Sequence, residues 1–144
     1  MNEIVLDADK AVAGRLAAYT AKKLLEGRKI VIVNSENAVI SGDAKKIVAK
    51  YEAKRNIQQK SDPDKSPKYP RRPDLFLKRL IKGMLPTRRR NTRKECLHRL
   101  RCYLGVPKQF EGKAEKKVKT AEQLSLRPTT IKQVCLALGW QETK

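Results

Sequence analysis

Ile30-Val31-Ile32-Val33 is the tightest constraint in this 144-residue chain. Four β-branched apolar residues in a row leave no side chain to turn toward water. They read as a strand buried on both faces, the signature of a parallel sheet. A parallel neighbour must be reached by a crossover, and the preceding sequence contains one. Glu3-Ile4-Val5-Leu6 is β-prone, and Asp7 to Val12 reads as a loop. From Ala13 to Leu25 a helix is predicted, with Ala13, Leu16, Ala17, Thr20 and Leu24 on one face and Arg15 and Lys22 pointing away. Gly27 follows where a left-handed residue is wanted. The unit is βαβ, with a right-handed crossover expected. After the turn cluster Asn34-Ser35-Glu36-Asn37 and the apolar Ala38-Val39-Ile40, either Ser41 or Asp43 caps a second helix running to about Gln59. Ile47, Val48 and Tyr51 face inward on it.

Composition matters because the charge is so uneven. Formal net charge is +19, and residues 50–108 carry 19 basic against 5 acidic side chains, a net +14. Such a field repels itself and has no folding purpose; its natural partner is a polyanion. The expected organisation is one α/β domain over residues 1–144 with a basic nucleic-acid-binding region at about 50–108.

The basic region has three parts. Lys60 to Pro73 holds four of the seven prolines, which forbid helix and favour extended chain. Without an apolar face it reads either as a flexible surface linker or as an arm laid along a phosphate backbone. In the second reading Lys68, Arg71 and Arg72 are contacts. Asp74 then caps a helix to about Leu85, with Phe76, Leu77, Leu80, Ile81, Met84 and Leu85 on one half and Lys78, Arg79 and Lys82 on the other. Pro86 stops it. Arg88-Arg89-Arg90 makes a turn of adjacent guanidinium groups that a nearby anion would relieve. Thr92-Arg93-Lys94-Glu95 fits a capping box. The helix it opens puts Cys96, Leu97, Leu100, Tyr103 and Leu104 in one stripe and ends at Gly105. Lys94 and Arg101 lie together outside that stripe, and Arg99 on its other flank. The expected RNA contacts are these arginines and lysines, with Arg93, Lys108 and, at the first helix, Arg15.

Sites for chemistry are poor. Cys96, His98 and Cys102 resemble a metal cluster on paper, but residues two apart on a helix diverge, and no further pair closes a tetrahedron. No metal or cofactor is expected. There is no Walker loop and no G-x-G-x-x-G. Gly14-Arg15 could meet a phosphate at a helix start, while Asp7 and Asp9 read as a loop surface. No apolar run approaches the roughly 18 residues of a membrane span, no signal peptide is evident, and an odd count of three cysteines suggests reduced thiols in the cytosol. Toward the end, Lys116–Val118 is a possible strand and Pro128 enters the first turn of a last helix. Ile131, Val134, Cys135 and Leu138 make that helix's apolar face, Gly139 closes it, and Trp140 packs back on the body.

Five segments occur in a telling order: Ala13-Gly14-Arg15-Leu16-Ala17, Val33 to Gly42 (VNSENAVISG), Arg71-Arg72-Pro73-Asp74, Gly83-Met84-Leu85-Pro86, and Arg99 to Pro107 (RLRCYLGVP). Together they resemble the universal large ribosomal subunit protein L-thirteen family in its short archaeal-type form, over about residues 3–140. Members usually carry a glycine before the second basic helix; Arg88 to Lys94 has none, and Asn91 is the residue there suited to a left-handed backbone. The resemblance implies a three-layer α/β/α fold around a small, mainly parallel sheet with basic helical and loop extensions. It also implies a non-catalytic, cytoplasmic role: binding large-subunit ribosomal RNA and stabilising it during assembly and in the mature particle, beside other large-subunit proteins. No membrane and no small-molecule substrate is expected. With few aromatics, recognition should run through phosphates, 2′-hydroxyls and shape. Two rivals remain: a free regulatory RNA- or DNA-binding module, and a nucleotide-dependent enzyme suggested only by the βαβ start.

Overall fold

The structure, a computed structural model, describes residues 3–115, 118 and 127–142. Strand β1 (Glu3–Asp7), helix α1 (Ala13–Leu25) and strand β2 (Lys29–Val33) follow the predicted strand–helix–strand order. β1 lies parallel to β2, with Ile4 beside Ile30 and Leu6 beside Ile32. α1 buries Ala13, Leu16, Ala17, Thr20 and Leu24, the face its spacing predicted. The chain leaves it through Gly27 at φ +86°, a backbone a side chain would strain.

A buried strand needs hydrogen-bond partners on both edges. The second edge of β2 is filled by Leu100–Cys102, strand β4, also parallel, giving the order β1-β2-β4. This corrects the helix expected to continue through Leu104. Helix α4 spans Arg90–His98, and the Arg99 amide closes it on the carbonyls of Glu95 and Cys96, each at 3.2 Å. Leu97, Leu100 and Leu104 satisfy the helical period, but Leu100-Arg101-Cys102 also alternates in and out, and the open edge of β2 decides between the two. Tyr103 and Leu104, expected in an apolar stripe, are each 37% exposed as a result. At the other end α4 starts earlier than predicted. Its N-cap is Arg89, the Thr92–Glu95 capping box does not form, and Asn91 lies within the first turn rather than in a left-handed conformation.

Strand β3 (Val39–Ser41) pairs antiparallel with β5 (Pro128–Thr130). Pro128 therefore opens a strand, where its missing N–H is tolerated, and not the last helix. That helix, α5 (Ile131–Ala137), is capped by Thr130 and Gln133 in a reciprocal capping box. Ile131, Val134, Cys135 and Leu138 are buried, Gly139 ends the turn at φ +97°, and Trp140 packs on the core, as expected. Helix α2 covers Ala44–Asn56, with Asp43 as N-cap, and α3 covers Pro73–Met84. Arg72, not Asp74, is the N-cap of α3. Pro73 takes the first helical position and Asp74 puts its charge in the first turn, where the helix dipole favours it. The strand expected at Lys116–Val118 falls largely outside the described residues; Glu115 just before it bridges to Leu6.

Alternation along the strands divides the core. Leu6, Ile30, Ile32 and Leu100 join the main cluster with Leu16 and Leu24 of α1, Phe76, Leu77 and Ile81 of α3, and Val134 of α5. Val5, Val31 and Val33 face the other way, under Phe110 and Ala114 from the 3-10 turn Lys108–Phe110 and the loop after it. The result is the expected α/β fold around a small, mainly parallel sheet. At the carboxyl ends of the strands, polar side chains act as braces. Asp7 Oδ1 accepts hydrogen bonds from the Asp9 amide and Asn34 Nδ2, both at 2.9 Å. The Glu36 carboxylate accepts the Gly105 amide at 2.9 and 3.2 Å. The VNSEN segment thus ties β1, β2 and the chain after β4 together.

Candidate nucleic-acid interface

The basic region is organised by a tyrosine. Tyr69, in the proline-rich arm, sits 5.9 Å from the buried ring of Tyr51 on α2. The Arg79 guanidinium of α3 lies 3.9 Å from the Tyr69 ring centre, and Lys54 Nζ lies 5.5 Å from both tyrosine rings. Burial acts to raise the Tyr69 hydroxyl, but hydrogen bonding and charge from Arg79 and Lys54 outweigh it and hold its pKa below the ordinary tyrosine value. Arg79 also donates to the Lys68 carbonyl at 2.7 Å, and Arg55 to the Tyr69 carbonyl at 3.3 Å. The arm is therefore pinned at residues 68–69. This corrects the expectation that it lacks anything to dock: Tyr69 packs on the main core.

Two basins open beside this pin. The first, about 320 Å³, is lined by Tyr51, Lys54, Tyr69, Arg79, Leu80, Lys82, Gly83 and Arg93. The second, about 390 Å³, is lined by Lys82, Thr87, Arg90, Arg93, Lys94 and Leu97. Lys82 from α3 and Arg93 from α4 line both. Among the described residues no carboxylate lines either, so the local potential is strongly positive.

Of the expected contacts, Arg79, Lys82, Arg90, Arg93 and Lys94 are thus brought together. Arg88 and Arg89 are exposed in the turn leading into α4. Lys78 and Arg101 share a separate hollow with Asp74 and Tyr103 at the edge of β4, where Lys78 Nζ approaches the Leu100 carbonyl at 3.5 Å. Lys68 and Arg71 are exposed on the arm, while Arg72 is exposed but paired with Asp74 at 2.9 Å. Arg15 is exposed on α1 and Lys108 on the 3-10 turn below the sheet; neither lines a basin. Arg99 is turned inward. It reaches the Leu24 carbonyl at the end of α1 at 3.5 Å and Glu95 at 3.4 Å, satisfying a helix C-terminus as a cation should. Lys54 and Tyr69 line the first basin without being expected there. No spacing rule singles out Tyr69, but Lys54 has a signal in its place three residues after Tyr51 on one helix face.

Burial raises the Cys96 thiol and pushes Cys102 and Cys135 up to about 12, so all three are neutral at pH 7. Among the described residues no group of three His, Cys, Asp or Glu could hold a metal, and no helix is long and apolar enough to cross a membrane.

A family model described as ribosomal protein L13 matches residues 1–109, from β1 through β4 and across both basins. The chain belongs to that family. Among its relatives is the large ribosomal subunit protein uL13 of Methanopyrus kandleri, 47% identical over 107 residues; the match covers 74% of this chain and 65% of that protein. The protein of the same name from Archaeoglobus fulgidus is 36% identical over 95% of this chain and 88% of its own length. That of Methanococcus maripaludis is 40% identical over 91% and 90%. The family is one of ribosomal proteins rather than of enzymes. Its match includes the charged middle of the chain and stops before β5 and α5, whose residues serve the second sheet and the core.

Proposed function

We propose that this chain is a structural constituent of the large ribosomal subunit in the cytoplasm, beside other large-subunit proteins. Its basic middle region binds large-subunit ribosomal RNA and stabilises its fold during assembly. The observation that carries this reading is the pair of basins, with no carboxylate among their described lining residues and with their charges on helices rather than on loose chain. Charge held on packed helices loses little entropy on binding. The similarity to uL13 proteins supports the ribosomal setting.

Two measurements test it. On a sucrose gradient of cell lysate the chain should sediment with the large subunit; a peak at the top of the gradient would favour a free regulatory RNA- or DNA-binding protein. The isolated chain should bind structured rRNA with steep salt dependence. If about six phosphates are neutralised, log K should fall against log salt with a slope of roughly −4 to −5. A slope shallower than about −2 would mean that the basic region is mostly solvated.

A further inference from the structure

We propose that the two basins are adjacent seats for two RNA phosphates, sharing the Lys82–Arg93 wall, and that they take a sharp turn of backbone rather than bases. This rests on the RNA-binding reading above and adds which part of the RNA is held, and where.

Three features carry it. The first is that neither basin offers a free aromatic face. Tyr69 carries Arg79 on its ring and Lys54 nearby, and Tyr51 is buried with Phe76 edge-on at 4.8 Å. Proteins that bind single strands use open aromatic rings as stacking platforms for bases; here the rings already hold cations. The second basin has no aromatic residue at all. The second feature is unneutralised charge. Lys54, Arg79, Lys82, Arg90, Arg93 and Lys94 surround the two basins, and none is ion-paired with a described carboxylate. Six like charges there repel one another until anions enter. The third is the shared wall. A guanidinium presents a planar fork of donors that can serve two phosphates at once. Two phosphates share Arg93 and Lys82 only where they lie close together, and a turn of the backbone crowds them most. The walls are set before RNA arrives, because Arg79 is fixed by Tyr69 and the Lys68 carbonyl, and Lys82 and Arg93 stand on α3 and α4.

The wild-type chain is titrated with inorganic phosphate while arginine Nε–Hε signals are followed by NMR. Saturable shifts at Arg79, Arg90 and Arg93, with Arg28 unmoved, are expected. Shifts at Arg93 no larger than at Arg28 overturn the seats. In parallel, Lys82→Ala and Arg93→Ala are assayed for RNA binding against Lys29→Ala, an exposed control on β2. Each neutralised phosphate contributes about 0.7–0.9 to the salt slope, and one cation neutralises one phosphate, so Lys82→Ala and Arg93→Ala should each lose about one unit of slope and bind RNA more weakly than Lys29→Ala. Arg93→Lys, which keeps the charge but loses the fork, should fall between Arg93→Ala and wild type. The wild-type preference for a bent rRNA junction over a straight RNA duplex should vanish in Arg93→Ala. Variants that bind like Lys29→Ala, while the wild type keeps its steep slope, overturn the seats and leave the RNA reading standing. A shallow wild-type slope overturns the RNA reading instead, and the phosphate titration then decides the seats alone.

Discussion

Phe76→Ala is expected to lower stability by about 3–5 kcal/mol, the range for deleting a buried aromatic side chain. Phe76 is 2% exposed and belongs to the main core cluster. Its ring meets Tyr51 edge-on at 4.8 Å and 67°, a geometry worth about 0.5–1.5 kcal/mol beyond the area buried. The consequence does not stop at the core. Tyr51 rests on Phe76 and in turn supports Tyr69, Lys54 and the first basin. Removing Phe76 takes away the floor under that floor. Folded Phe76→Ala should therefore also bind RNA less tightly, although Phe76 lines neither basin. Phe76→Leu keeps much of the volume and should cost less on both counts. Urea unfolding beside filter binding, with the m-value held in view, measures both effects. A loss under about 1 kcal/mol would mean that the site collapses and refills, and that α3 is less tightly fixed than its burial shows.

That chain of support, from core aromatic to basin, was only half legible in the sequence. α1 and β2 were readable because each carries its own period over enough residues to decide: an apolar stripe along a thirteen-residue helix, and four β-branched residues in a row. Phe76, Leu77 and Ile81 were readable for the same reason. Leu100-Arg101-Cys102 was not. Three residues fit either period, and what chose between them was the unfilled edge of β2, some seventy positions away in the chain. Pro128 failed likewise, since its strand exists only because β3 offers an edge. At the site, the charge run gave Arg79, Lys82, Arg90, Arg93 and Lys94, because net charge is local in sequence. The partnership of Tyr69 with Tyr51 and Lys54 joins an arm to a helix that precedes it by more than a dozen residues. No spacing rule connects them. Nor could composition tell Arg99, spent on the end of α1, from Arg90, which lines a basin.

That last distinction makes the arginine turn the sharpest test of where binding and folding separate. Arg88, Arg89 and Arg90 follow Leu85, 2% exposed, and precede Cys96, 1% exposed. The buried residues on either side hold the turn, and the three guanidinium groups are exposed and make no ion pair with a described carboxylate. Replacing all three with alanine removes mutual repulsion and adds a good helix former at the first position of α4. Stability should stay within about ±0.5 kcal/mol per site, the usual range for surface positions. RNA binding should not. Three lost phosphate contacts shrink the salt slope by roughly 2–3 units and weaken affinity on the order of a hundredfold or more at about 0.1 M salt. Arg99→Ala should behave in the opposite sense. It removes charged hydrogen bonds to the Leu24 carbonyl and Glu95, leaves the turn intact, and should cost about 1–3 kcal/mol of stability. Its RNA salt slope should remain that of the wild type. Urea unfolding and filter binding on the two variants decide the matter together. If the triple variant unfolds early yet binds normally while folded, the turn is structural and the interface lies elsewhere on the chain. If Arg99→Ala loses slope without losing stability, its inward contacts are incidental and it belongs with the RNA ligands.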